Sequence, residues 1–315
     1  MAADHPKYIY WNDRLMAWDD ATIHVTAIAW SAIGAVFEGI RGYWNPEQEQ
    51  LHIFRLNEHL DRLQDSSKVV HLPLHQSRQE LSDIIVELAR VNECREDTYI
   101  FPLVFAGDAD SNRFDPTKLQ SELTIRTRPM PSHLRSDYVQ HARISTWTRI
   151  SDTVMPPRIK NISNYRNGQL ATHEIKQDGY DVALMLNPQG KVAEAPGACV
   201  AMMAKGKLVT PDVTSGILES ITRDAVITLA REELGIEAVE RPVERTELYL
   251  ADEVFTCGTA AEITPVVSVD KFPVGNGDVG STTRTLQEML DNIMRGREER
   301  YAHWRTSVDL ALTTA

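Results

Sequence analysis

The stretch LADEVFTCGTAAEITPV, residues 250–266, constrains the fold more than any other part of the sequence. Apolar residues on both sides of a short run of small residues predict two strands joined by a turn at Gly258-Thr259-Ala260. Small residues in a tight turn leave backbone N–H groups open to a ligand, which is one way in which proteins bind anions. The alternative is an ordinary hairpin turn without a ligand, and the stretch alone does not decide between the two.

Strands and helices alternate irregularly in the rest of the sequence. Periodic apolar residues predict one helix capped by Asn57 and another after Lys160, at roughly residues 164–179. We therefore expect an α+β fold with two sheet-based domains. A small N-terminal domain should occupy residues 1–128, a linker with two prolines residues 129–138, and a larger C-terminal domain residues 139–315.

The composition excludes several classes of partner. The formal net charge of −12 argues against nucleic acid, whose phosphates require a basic surface. No stretch has the roughly 20 apolar residues of a membrane span. The N-terminus lacks the pattern of a signal peptide, and three cysteines without CxxC spacing fit a reducing compartment. We expect a cytoplasmic protein without a metal site, in which the sequon at Asn161 has no meaning.

Single side chains suggest chemistry, although each has an ordinary explanation. Lys160 lies between an apolar Val-Met-Pro-Pro run and a helix start, where desolvation could favour a reactive amine, yet most lysines are solvated. Glu194 lies among small residues and could pair with a protonated ring nitrogen, yet most such glutamates face water. Arg62 could bind a phosphate or form a surface pair with Glu58. Ser220 could simply cap a helix or create an anion site at its N-terminus.

Together these groups match the requirements of one cofactor. Pyridoxal phosphate needs a lysine for covalent attachment, a carboxylate for its pyridine nitrogen, a tyrosine for its phenolic oxygen, and an arginine plus a helix N-terminus for its phosphate. Lys160, Glu194, Tyr165, Arg62 and the helix after Ser220 supply that set.

The order of several motifs resembles the class IV aminotransferases and, within them, the branched-chain amino acid aminotransferases. The motifs are VFEGIRGY, FRLNEHLDRL, a lysine followed by NY, GKVAEAPGACV, ITRDAVITLA and LYLADEVFTCGTAAEITPV. The resemblance runs from about residue 8 to about residue 290. It implies a two-domain, fold-type IV pyridoxal phosphate enzyme with the cofactor between the domains, assembled as a homodimer or a higher homo-oligomer.

The resemblance also implies roles for individual residues. Lys160 would be the Schiff-base lysine and proton shuttle, Tyr165 would bind the phenolic oxygen, and Glu194 would bind the pyridine nitrogen. The phosphate would be held by Arg62, Ile221, Thr222 and Thr259. The substrate pocket would be lined by Phe37, Gly39, Arg41, Tyr99, Phe101, Thr259 and Ala260.

Departures from the branched-chain pattern affect the substrate pocket. Ala32 replaces a tyrosine, and Phe101 replaces the arginine of a YIRP motif that helps to bind the substrate carboxylate. These changes predict that pyruvate is preferred over 2-oxoglutarate and that (R)-amines are accepted as well as amino acids. A branched-chain L-amino acid:2-oxoglutarate aminotransferase is the main alternative. A D-amino acid transaminase, an aminodeoxychorismate lyase and a non-catalytic protein of this fold are further ones.

Overall fold

The computed structural model describes residues 5–107 and 114–310, apart from the side chain of Ala29. The strands are β1 (Tyr8–Trp11), β2 (Arg14–Ala17), β3 (Val36–Phe37), β4 (Ile40–Asn45), β5 (Gln50–Phe54), β6 (Thr98–Ala106), β7 (Ser121–Pro129), β8 (Gln140–Ile144), β9 (Val182–Leu184), β10 (Cys199–Ala204), β11 (Lys207–Thr210), β12 (Ala238–Glu240), β13 (Glu253–Gly258), β14 (Glu262–Val269), β15 (Phe272–Pro273) and β16 (Arg305–Asp309).

The α-helices of the described residues are α1 (Ile28–Ile33), α2 (Leu56–Val69), α3 (Arg78–Val91), α4 (Asn164–Gln177), α5 (Ile221–Glu232), α6 (Glu247–Leu250) and α7 (Ser281–Met294). None of these helices is long and apolar enough to cross a membrane.

The chain forms two compact units, each with its own sheet, as the predicted α+β class requires. The strand pairs of the unit 1 sheet are antiparallel, and the unit 2 sheet is mixed. Unit 1 comprises residues 1–132, 159–163 and 292–315, and unit 2 comprises residues 133–158 and 164–291. The compact units differ from the predicted domains in two segments. Residues 292–315 belong to unit 1 because β16 pairs with β5 along its whole length, and residues 159–163 belong to it because they pair with the residues around β3.

Unit 1 is built on a sheet with the strand order β16-β5-β4-β6-β7-β1-β2, and β3 pairs with β6. Helices α2 and α3 pack on one face of the sheet, where Leu60 and Ile85 belong to the same buried core as the strand residues Ile40, Ile53 and Ile100. Residues of β6 alternate between this core and the other face. That other face therefore carries Tyr99 and Phe101, which the sequence assigns to the substrate pocket.

The start of α2 differs from the prediction. The helix begins at Leu56, and its N-cap position is Arg55 in a left-handed conformation, so Asn57 does not cap it. Tertiary contacts override the local preference, because the Arg55 N–H donates to the carbonyl of Trp304 and its side chain binds Glu58.

Unit 2 is built on a sheet with the order β12-β11-β10-β13-β14-β8-β9, and β15 pairs with β14. Its core contains Leu184, Val200, Val254 and Val266. Strands β10 and β13 pair with Cys199 opposite Cys257. This register aligns the start of β10 with the end of β13 and brings the loops next to them together.

Candidate active site

Lys160 is held on β3 by backbone pairing within unit 1. The Phe37 N–H donates to the Lys160 carbonyl at 3.0 Å, and the Ile162 N–H donates to the Ala35 carbonyl at 2.8 Å. The Lys160 N–H donates to the buried Ser66 hydroxyl at 3.2 Å. The half-buried Lys160 side chain places Nζ 4.9 Å from the centre of the Phe37 ring. The lysine is thus fixed by its own backbone and by α2.

The apolar surroundings of Lys160 differ from those that the sequence suggested. Val154 is 74% exposed, whereas Pro157 is buried. A further apolar contact comes from Phe37, because the strand pairing brings β3 to the lysine.

Arg62 binds a buried carboxylate in unit 1. Its Nε donates to Glu38 Oε1 at 2.7 Å and its Nη2 donates to Glu38 Oε2 at 2.9 Å. His59 Nδ1 lies 2.8 Å from Glu38 Oε2, so the ring donates from this nitrogen. Glu38 and His59 are both almost completely buried. The two-point contact fixes the orientation of the Arg62 guanidinium.

Burial and charge act in opposite directions on this cluster. Burial would raise the pKa of Glu38, but the charge of Arg62 and the hydrogen bonds from His59 and Arg62 outweigh it and hold that pKa well below its ordinary value. For His59, burial lowers the pKa more than Glu38 raises it. Arg62 and Glu38 are therefore an ion pair at neutral pH, whereas His59 is neutral.

The predicted pocket residues of unit 1 lie along one face of the sheet. The rings of Phe37 and Phe101 are 5.0 Å apart, and Tyr99 lies 6.3 Å from Phe101. A side chain at Gly39 would collide with the Tyr99 hydroxyl, so this position requires glycine. Arg41 is 1% exposed, and its Nη2 donates to the Met130 carbonyl at 2.5 Å. The role of Arg41 in substrate binding stays a prediction.

Glu194 in unit 2 is a buried carboxylate with a fixed orientation. Its Oε1 lies 2.6 Å from Arg149 Nη2, and its Oε2 accepts a hydrogen bond from the Leu218 N–H at 3.1 Å. Both charged side chains are less than one-tenth exposed. The residues around Glu194 form isolated bridges at Lys191, Val192 and Ala195 rather than a strand.

The start of α5 is near Glu194 in the fold. Leu218, three residues before the helix, donates its N–H to the Glu194 carboxylate. Ser220 caps the helix as predicted, and its hydroxyl accepts a hydrogen bond from the Arg223 N–H at 3.2 Å. Ile221 and Thr222 occupy the first two helical positions, whose N–H groups have no partner inside a helix. These two N–H groups are therefore suited to an anion.

The turn that carries Thr259 and Ala260 packs close to the turn at residues 195–198, which follows Glu194. It spans residues 259–261, one residue later than predicted, and Glu262 after it has a left-handed backbone conformation. The side chain of Glu262 accepts a hydrogen bond from the His133 N–H at 2.8 Å. A Cβ at Gly258 would lie 3.3 Å from the Gly197 carbonyl oxygen. Glycine at 258 thus allows the two turns to approach.

Tyr165 lies near the same turn in unit 2. It lines a cleft of about 250 Å³ with Gly168, Pro196 and Gly197. Unit 2 therefore brings together five of the predicted residues: Tyr165, Glu194, Ile221, Thr222 and Thr259. Unit 1 brings together Lys160, Arg62 and the aromatic pocket residues. A buried carboxylate, an amine, a guanidinium and helix N–H groups are the donor set that pyridoxal phosphate requires.

Comparisons with known proteins identify the family. The sequence pattern of the family Amino-transferase class IV matches residues 35–269. This chain belongs to the class IV aminotransferases. It is 40% identical over 303 residues to a probable branched-chain-amino-acid aminotransferase of Aquifex aeolicus (strain VF5), with 96% of each chain covered.

Solved structures show the same similarity. The branched-chain amino acid aminotransferase from Thermobaculum terrenum in its PLP-form is 49% identical, with a TM-score of 0.93 and coverage of 97% of this chain and 99% of that one. The T.th. branched-chain amino acid aminotransferase complexed with N-(5'-phosphopyridoxyl)-L-glutamate is 33% identical, with a TM-score of 0.87 and coverage of 96% and 99%. The fold is that of fold-type IV enzymes, and pyridoxal phosphate is the cofactor of this aminotransferase.

Sequence reasoning missed the side chains that support the aminotransferase's candidate site. Glu38 lies in the apolar run AVFEGI, and a glutamate in a buried strand is rare unless it is paired, so this signal was available. His59 and Arg149 gave no comparable signal, because their partners are distant in sequence.

Replacing Glu38 by glutamine should destabilise the protein by about 3–5 kcal/mol at neutral pH, because the Arg62 charge stays buried without its partner. The lowered pKa of Glu38 stabilises the fold above the ordinary glutamate pKa of about 4.3, and this contribution is lost as the pH falls below it. The difference in unfolding free energy between the wild type and Glu38→Gln should therefore be constant between about pH 7 and pH 5.5 and should narrow below about pH 4. Urea unfolding at several pH values measures it.

The matched control is Glu58→Gln, which removes the half-exposed partner of Arg55 in the same unit. It should change the unfolding free energy by less than about 1 kcal/mol. Equal effects of the two substitutions would show that the buried pair contributes no more than a surface pair.

Proposed function

We propose that this aminotransferase transfers the amino group of branched-chain L-amino acids to 2-oxoglutarate. The observation that supports this most directly is the 49% identity, over nearly the whole chain, to a protein described as a branched-chain amino acid aminotransferase. A second relative of known structure was complexed with a phosphopyridoxyl derivative of L-glutamate. Glutamate is the amino acid that forms when 2-oxoglutarate accepts an amino group.

We propose that the two groups of residues serve the same cofactor. When bound, pyridoxal phosphate supplies the electron sink for removal of the proton from the substrate α-carbon. Lys160 would attach the cofactor and then move that proton through Nζ. Its fixed backbone supports this role, because a catalytic amine must be held within a narrow range of positions.

Glu194 would accept a hydrogen bond from the protonated pyridine nitrogen. The contacts from Arg149 and Leu218 support the role, because they prevent the carboxylate from turning away. Arg62, Thr259 and the N–H groups of Ile221 and Thr222 would bind the phosphate. Glu38 would keep Arg62 oriented before the cofactor arrives.

A second candidate function is transamination of (R)-amines with pyruvate. Ala32 lines an apolar cavity of about 350 Å³ in unit 1, together with Trp11, Leu103 and Phe105. An aryl group would gain free energy by filling such a cavity. The half-reactions of the holoenzyme with L-leucine, L-glutamate and both enantiomers of an aryl-alkyl amine distinguish the two functions, since only a true donor bleaches the cofactor absorbance.

Replacement of Lys160 by alanine should abolish turnover and the yellow absorbance of the attached cofactor, because it removes the amine that would attach the cofactor and move the proton. The measurement is the visible spectrum together with the steady-state rate for L-leucine and 2-oxoglutarate. Lys68→Ala, which removes an exposed lysine of α2 in the same unit, is the control and should behave as wild type. Normal activity of Lys160→Ala would refute the assignment.

Replacement of Glu194 by glutamine should leave cofactor bound but lower kcat by about 10²-fold or more, because a neutral amide does not keep the pyridine nitrogen protonated. Single-turnover rates with L-leucine measure the effect, and the cofactor content of the purified variant shows whether binding survives. An unchanged kcat would show that Glu194 has a structural role only.

We also propose that the enzyme is a homodimer or a higher homo-oligomer. Ile23, Val25, Ile28 and Ile33 are between 44% and 72% exposed and lie within a short segment of unit 1. Apolar side chains clustered in this way on a surface mark contact sites, and a second copy of the chain is the partner we propose.

The double substitution Ile28→Asp and Ile33→Asp should shift the protein towards a monomer in sedimentation velocity, because two buried charges would destabilise the contact. Leu250→Asp, at an 84% exposed position of unit 2, is the control and should not change the mass. A wild type that sediments as a monomer at micromolar concentration would contradict the oligomer proposal.

We propose a cytoplasmic location for the enzyme. Cys94, Cys199 and Cys257 are buried free thiols, which fits a reducing compartment such as the cytoplasm. Burial raises the pKa of Cys94 and raises that of Cys257 to about 12, so neither is poised to react.

A further inference from the structure

Arg126 lies beside the position where an arginine is missing. In the antiparallel pairing of β6 and β7, Arg126 is directly opposite Phe101. Residues that are opposite each other in such a pair share a face of the sheet. The Arg126 guanidinium lies over the Phe101 ring, 4.7 Å from its centre. The neighbouring strand therefore supplies a cation next to Phe101, which occupies the position of the arginine in the YIRP motif.

Arg126 is also at one end of a row of side chains in unit 1. Phe101 packs on Phe37 with the ring centres 5.0 Å apart, and Lys160 Nζ lies 4.9 Å from the Phe37 ring. The row starts at the amine that is proposed to react and ends at a guanidinium. Two aromatic rings lie between them.

Within residues 5–107 and 114–310, no carboxylate pairs with the Arg126 guanidinium, which lies over the Phe101 ring. Arg62, Arg149 and Arg295 each have a carboxylate within 3 Å. Burial lowers the pKa of Arg126, and the nearby charge of Arg128 lowers it further, whereas Tyr99 raises it. A half-buried cation without a counter-charge is costly, and an anionic ligand would offset that cost.

We propose that Arg126 is a specificity-determining residue that binds the side-chain carboxylate of L-glutamate and 2-oxoglutarate. The inference rests on the aminotransferase function proposed above. A five-carbon dicarboxylate carries its second carboxylate three carbon atoms from the carbon that reacts, so its recognition requires a cation set apart from Lys160. Branched-chain side chains would contact Phe37 and Phe101 instead. A guanidinium that stacks on a ring keeps its N–H donors in the plane, where they suit a carboxylate.

This inference reverses the substrate preference that the sequence alone predicts. Phe101 suggested that 2-oxoglutarate is a poor acceptor, because an aromatic ring does not bind a carboxylate. The strand register restores a guanidinium at the same place from a different position in the sequence.

The test compares the wild-type holoenzyme with Arg126→Leu and Arg126→Lys. We expect Arg126→Leu to lower kcat/KM for L-glutamate and 2-oxoglutarate by about 10- to 100-fold, the usual effect of losing hydrogen bonds to a charged group. The values for L-leucine should stay within about twofold, since no charge is needed there. Arg126→Lys should recover part of the loss. Arg128→Leu, two residues along the same strand, is the control and should keep the wild-type ratio of glutamate to leucine.

Binding without reaction gives an independent measurement. Calorimetry of the holoenzyme should show glutarate binding weakened by a similar factor in Arg126→Leu, while binding of 4-methylpentanoate, a monocarboxylate without an amino group, is unchanged. A thermal melt of each variant shows whether it is folded.

The outcomes separate this inference from the proposed function. If Arg126→Leu keeps the wild-type ratio of glutamate to leucine and the wild-type affinity for glutarate, the role of Arg126 is refuted while the aminotransferase function stands. If the wild type reacts with leucine but neither reacts with glutamate nor binds glutarate, the role is refuted too. If the wild type reacts with no amino acid, the proposed function fails, and glutarate binding alone decides the role of Arg126.

Discussion

The backbone pairing of residues 160–162 with residues 35–37 is the contact on which the candidate site depends most. Because of this pairing, residues 159–163 belong to unit 1, although the residues before and after them in the sequence belong to unit 2. Without this pairing, Lys160 would be an ordinary solvated lysine in a loop. With it, the amine lies on Phe37 and near His59, whose pKa its charge lowers. A strand edge thus positions a side chain more firmly than a loop would.

Two buried carboxylates orient charged side chains in the same manner, one in each unit. Glu38 binds Arg62 and Glu194 binds Arg149, and in both pairs the nitrogen–oxygen distances are below 3 Å. Burying such pairs brings little net stability, since the loss of hydration offsets much of the attraction. Their value lies in orientation, because each carboxylate has two or more partners that fix its plane. The fold therefore gives up some stability to hold charged groups at defined positions, as functional sites commonly do.

The proposed substrate recognition depends on side chains of neighbouring strands. The Phe37 and Phe101 rings form an apolar surface, and Arg126 adds a cation at its border. The substrates proposed for this aminotransferase are an apolar donor, a branched-chain amino acid, and a charged acceptor, 2-oxoglutarate. A surface with an apolar part and a cationic part can serve both, because the two substrates use different parts of it.

The sequence by itself determined the fold class, the family and the cofactor, because these depend on motifs that are contiguous in the chain. The turn at Thr259, the helix cap at Ser220 and the lysine at position 160 each carry a local signal, since turns and caps need particular residues at fixed spacings. The sequence could not determine that the C-terminal β16 joins unit 1, that Arg55 replaces Asn57 at the start of α2, or that Arg126 faces Phe101. Such features depend on strand register and on contacts between residues that are distant in the chain, and only the tertiary structure decides these.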